Sequence, residues 1–494
     1  MVKKPRINKT LDRDLKSRVS LETAYADTRR QYMAPSIAFV FILLSGFIAS
    51  LFLGWSEQSI IVIAAAAIGA YMALNIGAND VANNVGPAVG SGALTMVGAL
   101  IIAAIFETAG ALLAGGDVVG TISKGIIDPE AVGDPQIFVF AMFAALISAA
   151  LWVNLATWVG APVSTTHSVV GGVTGAGIAA AGFAAVNWPK MSQIAASWVI
   201  SPVLGGLIAA LFLWFIKSQV SDKPEKIAAA RRWVPVLIAI MAGAFGTYLA
   251  VKGVKKIVKI DLEMALVIGA SAALIAYIIS RPFIRKQSEG LPNTKESVRS
   301  LFTLPLVVAA ALLSFAHGAN DVANAVGPLA AIVHTYEAGE VVAKVSIPLW
   351  VMVLGAFGIS FGLLLFGPKL IRMVGEQITK LNPLRAYCVA LSAAITVIVA
   401  SWLGLPVSST HIAVGAVFGV GFFREAHWRV STSNKKVNKI KAEEVLKSDT
   451  KKRKHRKLVR RNHFLTIIAA WLITVPCAAI LSGVIFLLLN AFAA

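Results

Sequence analysis

Long apolar runs alternate with short polar stretches along most of the chain. The apolar runs are about 17 to 25 residues long, which is the length a helix needs to cross a hydrocarbon core roughly 30 Å thick. Such runs begin near residues 37, 59 and 88 and recur to the end of the chain. The pattern predicts an all-α polytopic membrane protein.

Composition strengthens this prediction. The chain has 494 residues, of which 57% are hydrophobic and 14% are charged, and its mean hydropathy is +0.76. These values lie far outside the range of an ordinary soluble domain.

The formal net charge of +20 lies mainly in the connectors, above all in residues 424–463. A basic cytoplasmic face explains this placement better than nucleic-acid binding does, so no nucleic-acid partner is expected. Binding of residues 424–463 to anionic lipid is a secondary interpretation. The polar N-terminal stretch shows no cleavable signal peptide and is expected to stay in the cytoplasm.

Two motifs occur twice in the same order. GANDVANNVGP at residues 77–87 and GANDVANAVGP at residues 318–328 share ten of eleven residues and start 241 positions apart. PVSTTH at residue 162 and PVSSTH at residue 406 start 244 positions apart. The near-equal spacing predicts a duplicated unit.

The duplication and the apolar runs together predict the domain organisation. The predicted parts are a cytoplasmic polar tail at 1–35, an extra N-terminal transmembrane helix at 36–56, repeat 1 at 57–216, a connecting region with two transmembrane helices at 217–300, and repeat 2 at 301–494 with a basic cytoplasmic loop at 424–463.

Charge also predicts the topology. If each hydroxyl motif is the tip of a re-entrant helical hairpin, the basic connectors share the side of the N-terminus, and the acidic stretches 115–135 and 334–344 lie outside. Residues 252–261, with four lysines, are the exception. The two repeats are then inverted, the N-terminus is cytoplasmic, and the C-terminus is outside the cell membrane.

The GANDVAN copies place polar residues inside apolar chain. A buried aspartate is costly unless it faces a cavity or a cation, and amide and backbone oxygens are hard ligands. We expect Gly77, Gly86 and Pro87 to interrupt the helix and free backbone carbonyls for Na⁺ or a proton-linked site. A structural polar network is the alternative. The predicted cation-binding residues are Asn79, Asp80, Asn83, Asn320, Asp321 and Asn324.

The hydroxyl motifs predict an anion site. Proline near the first helical position followed by Ser and Thr is typical of a helix start, and free N–H groups there attract anions. Ordinary capping and packing is the alternative. His167 and His411 would either bond a substrate oxygen or cap a carbonyl. The predicted anion-binding residues are Ser164, Thr165, Thr166, Ser408, Ser409 and Thr410.

Neither the hairpin interiors nor the GANDVAN copies contain Lys or Arg. A doubly charged oxyanion would be repelled by Asp80 and Asp321, so a cation, Na⁺ or H⁺, must enter with it. Glu107 is a further intramembrane carboxylate without a clear partner in the second repeat, and it is expected to act in coupling or substrate contact. His317 corresponds to Ile76, so we do not expect it in a symmetric site.

At these motifs the chain resembles the inorganic phosphate transporter (PiT) family, which includes sodium- and proton-phosphate symporters and some sulfate permeases. The resemblance implies an inverted-repeat fold, a phosphate site between the hairpin tips, and cation sites near the GANDVAN breaks. The GANDVAN form is similar to that of the sodium-coupled branch. Some members carry glutamate in the hairpin arms where this chain has Met142 and Ala390, which leaves the coupling ion and stoichiometry open.

The leading hypothesis is secondary active import of inorganic phosphate with a coupled cation, Na⁺ favoured over H⁺, and with no cofactor. A sulfate permease and a passive channel are alternatives, and a homodimer is left open. An intramembrane hydrolase using Ser164 or Ser408 with the histidine three residues on is a remote alternative, because no nearby carboxylate would orient either histidine. No catalytic residue is therefore predicted.

Overall fold

The computed structural model describes residues 32–54, 56–159, 163–253, 260–339, 347–377, 381–440 and 461–493. Within these ranges the regular elements are helices, and a single β-bridge joins Ile127 and Val186. Eleven of the described helical spans are long and apolar enough to cross a membrane. The prediction of an all-α polytopic membrane protein is confirmed.

The helices of the first half and the connecting region are α1 (Tyr32–Leu53), α2 (Glu57–Asn79), α3 (Val81–Gly90), α4 (Met96–Ala114), α5 (Gly116–Lys124), α6 (Pro129–Val132), α7 (Pro135–Val159), α8 (Thr165–Ala181), α9 (Trp188–Ile216), α10 (Lys226–Lys252), α11 (Leu262–Gln287) and α12 (Lys295–Leu301). Those of the second half are α13 (Thr303–Asp321), α14 (Ala323–Ala338), α15 (Leu349–Gln377), α16 (Pro383–Trp402), α17 (Ser409–Ile440) and α18 (Arg461–Ala493).

The helix contacts repeat across the two halves. Helix α2 packs on α15, and α13 packs on α4 in the corresponding way; α8 packs on α18, and α17 packs on α9. Each of these pairs joins one half of the chain to the other. The two halves therefore fold around each other, and α10 and α11 pack together beside them. Helix α1 contacts α15 through Phe41 and Phe361, whose ring centroids lie 5.1 Å apart.

The first glycine of each GANDVAN copy permits a close crossing between the halves. A Cβ atom on Gly77 would lie 1.9 Å from the carbonyl oxygen of Ile359, and one on Gly318 would lie 2.1 Å from the carbonyl oxygen of Glu107. No larger residue fits at either crossing. Because Gly77 and Gly318 start the two GANDVAN copies, Ile359 and Glu107 occupy equivalent places.

The helix breaks lie at other residues than predicted. Gly77 is inside α2, and Pro87 is inside α3. The turns fall at Asp80 (φ −89°, ψ −34°) and Val322 (φ −56°, ψ −31°), both in right-handed helical conformation. The prediction that Gly77, Gly86 and Pro87 interrupt the helix is wrong, because Gly77 permits a close helix crossing and Gly86 and Pro87 lie inside α3.

Proline still frees one carbonyl in each GANDVAN copy. Pro87 and Pro328 lie inside helices and have no backbone N–H, so the carbonyls of Asn83 and Asn324, four residues earlier, lose their usual helical donor. Each copy thus contains one backbone carbonyl without its usual helical donor, at an asparagine predicted to bind a cation.

Two predicted connectors contain helix. Residues 115–135 include α5 and α6, and α5 buries Val118, Val119 and Ile122 against the protein. Helix α17 continues to Ile440 into the predicted loop 424–463, because neither Gly nor Pro occurs between residues 422 and 440 to end it. Residues 1–31, 254–259, 340–346 and 441–460, which include most of the predicted tail and charged connectors, lie outside the described residues.

Candidate functional site

Two helix N-termini meet at the hairpin tips. The hydroxyl of Ser164 accepts a hydrogen bond from the backbone N–H of His167 (3.2 Å), and Ser408 caps α17 in the same way from His411 (3.3 Å). The hydroxyl of Thr166 donates to the carbonyl of Val407 (3.0 Å), so the tips touch directly. All six predicted hydroxyl residues are buried. The structure thus brings the predicted anion-binding residues together.

Asp80 connects both tips. Its carboxylate accepts a hydrogen bond from the hydroxyl of Thr165 on α8 (2.8 Å) and another from Thr410 on α17 (2.9 Å). Asn83, one turn further on, donates to the same Thr410 oxygen (2.9 Å). The first GANDVAN copy therefore lies against the hydroxyl groups of both hairpins.

The second copy makes different bonds to the tips. Asp321 accepts a hydrogen bond from Ser409 (3.0 Å), and Asn324 donates to Thr166 (3.1 Å) and Thr165 (3.3 Å). Asn320 donates to Ser401 (3.0 Å) and to the carbonyl of Leu405 (3.1 Å) and accepts from the N–H of Val407 (3.2 Å).

Asn79 and Asn320, which occupy the same position in the two GANDVAN copies, make different contacts. The amide of Asn320 is taken up in positioning the second tip. Asn79 is only half-buried, and the structure does not bring it into the hydrogen bonds described above.

A buried chain of ionisable groups leads away from Asp321. Nε2 of His317 lies 2.8 Å from Oδ2 of Asp321, and Nδ1 lies 2.6 Å from Oε2 of Glu107. The Glu107 contact has hydrogen-bond geometry, whereas the Asp321 contact has only the distance of an ion pair. Asn84 donates to the other oxygen of Glu107 (2.8 Å).

Proton counting constrains this chain. A neutral imidazole carries one N–H, yet both ring nitrogens of His317 closely approach carboxylate oxygens. An unprotonated nitrogen would be repelled by the carboxylate that it faces. When no other cation is bound, either His317 is an imidazolium or one carboxyl is protonated, so the chain then holds one proton more than two carboxylates and a neutral histidine do.

Three of these groups could surround a cation. Ligand atoms of Asp80, His317 and Asp321 all lie within 4.8 Å of one another, and all three side chains are buried. Two carboxylates this close favour a bound positive charge between them. Carboxylate and hydroxyl oxygens suit a hard cation such as Na⁺ better than the imidazole nitrogen does.

The partners of Glu107 were missed by the sequence reasoning. The glycine crossings pair Glu107 with Ile359, and the motif alignment pairs His317 with Ile76, so a buried apolar pair occupies the equivalent place at the other crossing. Asn84 likewise corresponds to Ala325. These differences between the two copies are visible in the sequence, and they could have indicated that His317 and Asn84 have a role in one copy only.

The serine hydroxyls do not form a hydrolase dyad with the histidines. The Ser164 and Ser408 oxygens cap backbone N–H groups. The His167 ring packs 3.9 Å from Trp198 and 4.7 Å from His411, centroid to centroid. The two histidine rings thus meet behind the hydroxyl groups.

The model of the phosphate transporter family matches residues 76–482, most of the chain. The chain belongs to this family. It is 46% identical to the "Putative phosphate permease" of Helicobacter pylori strain 26695, over 97% of this chain and 99% of that protein. It is 36% identical to the Arabidopsis thaliana "Inorganic phosphate transporter 2-1, chloroplastic", over 92% of this chain and 77% of that protein.

The fold of this chain is similar to that of a solved structure titled "The sodium-dependent phosphate transporter". The TM-score is 0.78 at 35% identity, over 87% of this chain and 99% of that chain. The protein is a multi-pass phosphate transporter of the phosphate transporter family and is not an enzyme.

Proposed function

We propose that this phosphate transporter imports inorganic phosphate together with a cation, with Na⁺ favoured, and that the phosphate binds between the hairpin tips. The observation that carries the proposal is the pair of hydrogen bonds from Thr165 and Thr410 to Asp80. The proposed orientation has the N-terminus in the cytoplasm, the C-terminus outside, and the two repeats inverted in the cell membrane.

Charge balance makes the cation necessary. Among the described residues, no Lys or Arg side chain hydrogen-bonds to Asp80, Asp321 or the six hydroxyls of the tips. A phosphate dianion beside two uncompensated carboxylates in a buried site would be strongly repelled. A cation held near Asp80 and Asp321 removes this repulsion.

The hydroxyl hydrogens provide the coupling. Each threonine hydroxyl can donate one hydrogen bond, and Thr165 and Thr410 both donate theirs to Asp80. When Asp80 binds a cation or a proton, its demand for these hydrogens falls and the hydroxyls can donate to phosphate instead. The cation and the phosphate then favour each other's binding, which is a thermodynamic linkage.

A proton is the second candidate for the coupled cation. The Glu107–His317–Asp321 chain favours it, because the chain already holds an extra proton next to the site. Na⁺ is supported by the oxygen-rich surroundings of Asp80 and by the similarity to a sodium-dependent transporter. Phosphate is favoured over sulfate because at neutral pH only phosphate can donate a proton to Asp80 or Asp321.

Proteoliposomes test this proposal. Labelled phosphate uptake is measured with a Na⁺ gradient alone, with a pH gradient alone, and with neither, each with and without excess sulfate. We expect accumulation against the phosphate gradient with Na⁺ alone and little competition by sulfate. Uptake that never exceeds equilibrium under any gradient would show a passive channel, and accumulation with the pH gradient alone would assign the proton.

A further inference from the structure

A group of basic side chains meets at one end of the helix bundle, far from the hairpin tips. We call Lys217, Lys295, Arg299, Arg385 and Arg424 the basic cluster. Lys217 follows α9, Lys295 and Arg299 lie on α12, Arg385 is in the first turn of α16, and Arg424 is on α17. About 24 Å of helix separates Arg385 from Ser401 near the second tip, at 1.5 Å per residue.

The members of the basic cluster repel one another. Helix α16, which carries Arg385, packs against α12, which carries Arg299, and against α17, which carries Arg424. The charges of Arg424 and Arg299 therefore act on Arg385, and that of Arg299 acts on Arg424. Lys217 is repelled by Lys295, Arg385 and Arg424. Lys217, Arg299, Arg385 and Arg424 are all half-buried. Holding like charges together while they are partly desolvated costs free energy, which a bound anion would recover.

The neighbouring carboxylates balance only part of this charge. Asp222 pairs with Lys295 at 2.7 Å, and Glu296 pairs with Arg299 at 3.2 Å. Burial tends to raise the pKa of Asp222, but the hydrogen bond and charge of Lys295, with the charges of Lys217 and His427, lower it. Asp222 therefore stays ionised and committed to Lys295. Among the ion pairs of the described residues, none includes Arg385 or Arg424.

The site is built on ordered connections. The side chain of Asn293, between α11 and α12, accepts hydrogen bonds from the N–H groups of Lys226 (2.8 Å) and Ile227 (3.3 Å) and donates to the carbonyl of Pro224 (2.7 Å). Nε of Arg231 donates to the hydroxyl of Ser288 (2.6 Å). These bonds fix the connector that leads into α12, the helix that carries Lys295 and Arg299.

Aromatic rings place the cluster at the membrane surface. Phe215 and Trp233 pack edge to face, with centroids 5.0 Å apart, and Lys217 lies 5.7 Å from the Phe423 centroid. Tryptophan beside basic residues at the ends of membrane helices is typical of the level of the lipid headgroups. Arginine pairs preferentially with phosphate groups at such sites.

We infer that the basic cluster binds a phosphate-bearing anion, either the headgroup of an anionic phospholipid or inorganic phosphate that leaves the transporter. The surroundings of Trp233 and Phe423 favour the lipid headgroup. Arg385 and Arg424 are the residues that contact the anion in this inference.

Thermal melting of the full-length protein in a zwitterionic detergent tests this inference. The wild type is compared with Arg385→Gln/Arg424→Gln, with phosphatidylglycerol and inorganic phosphate titrated separately at constant Na⁺. A matched control is Arg281→Gln/Arg285→Gln, which removes two exposed arginines of α11 at the same end. Phosphate can stabilise all three proteins through the transport site, so only differences between them are informative.

We expect phosphatidylglycerol to raise the Tm of the wild type and the control by about 3 °C or more, and to raise that of the cluster variant much less. A difference seen with inorganic phosphate instead would identify the leaving substrate as the ligand. Equal responses of all three proteins to both compounds would overturn the inference.

Melting without added anion provides the second measurement. Removing two like charges relieves repulsion, so the cluster variant should melt at or above the Tm of the wild type when no anion is present. A lower Tm under these conditions would show that the arginines hold the fold together, and it would contradict an anion site. Both measurements report binding and stability, so they stand apart from the coupling proposed for transport.

Discussion

The two crossings between the halves of the molecule have the same backbone geometry and opposite chemistry. At one crossing Gly77 passes Ile359, and at the other Gly318 passes Glu107, with nearly equal approach. The side chains beside the first crossing are Ile76 and Ile359, and those beside the second are His317 and Glu107. The backbone crossings correspond, but the ionisable chain is present at one crossing only, so the two aspartates have different surroundings.

The largest effect is expected from breaking the ionisable pair. Glu107→Gln leaves His317 with one carboxylate fewer in a buried place, which should destabilise the protein by about 3 to 5 kcal/mol. Thermal melting in detergent measures this loss. A surface substitution such as Glu263→Gln on α11, which is exposed, is the control, and a Glu107→Gln variant as stable as this control would contradict the buried pairing.

Replacing the ionisable residues of one crossing by the apolar residues of the other tests whether the two crossings are equivalent. The triple variant Asn84→Ala, Glu107→Ile, His317→Ile gives the second crossing the residues of the first, and Asp321 then resembles Asp80 in having isoleucine four residues before it. We expect the triple variant to recover most of the stability lost in Glu107→Gln, because hydrophobic replacement of a complete buried pair is well tolerated. A triple variant less stable than the single variant would show that the two crossings are not equivalent.

The glycines should behave alike in both halves. Gly77→Ala and Gly318→Ala each place a Cβ atom about 2 Å from a backbone carbonyl, and each should cost about 3 kcal/mol or more in stability. Gly120→Ala, where nothing lies within 4 Å of the added atom, is the matched control and should be neutral or slightly stabilising. The yield of folded protein and its Tm measure these effects, and tolerance of either crossing variant would refute the close packing.

The threonines on Asp80 should affect phosphate binding. Thr165→Val and Thr410→Val remove the hydroxyl hydrogens that we propose are passed to phosphate, and each should weaken phosphate binding about 10-fold or more. The phosphate KM of uptake at saturating Na⁺ measures the change. Thr157→Val, whose hydroxyl donates to the carbonyl of Val153 within its own helix, is the control. Unchanged KM values in both tip variants would show that the hydroxyls of Thr165 and Thr410 do not bind phosphate.

The smallest effects are expected at the helix caps. Ser164→Ala and Ser408→Ala each remove one cap hydrogen bond and should lower stability by about 1 kcal/mol, equally in the two hairpins. Chemical or thermal unfolding in detergent compares them. A large difference between the two variants would mean that one serine does more than cap its helix.

The sequence predicted what depends on local pattern. Helix length followed from the apolar runs, and the helix starts at Ser164 and Ser408 followed from proline and hydroxyl residues at the beginning of a turn. The six hydroxyls could be assigned to one place because the motif occurs twice. These features need only neighbouring residues and the periodicity of a helix.

The sequence did not predict which residues meet across the bundle. Glu107 and His317 are 210 positions apart, and their contact depends on how α4 crosses α13, which no local pattern encodes. The glycines of GANDVAN were expected to break the helix, whereas they permit close crossings. The helical continuation of α17 to Ile440 was hidden by its charge, which is as compatible with a helix as with a loop.

In the proposed mechanism, a cation on Asp80 frees the tip hydroxyls for phosphate. The most direct test is the Na⁺ dependence of phosphate binding by purified wild type and Asp80→Asn. In the wild type, the apparent phosphate affinity should rise with Na⁺. The neutral amide of Asp80→Asn imitates the occupied site, so its phosphate affinity should change little with Na⁺. If Asp80→Asn keeps the full Na⁺ dependence of the wild type, a cation on Asp80 does not control phosphate binding.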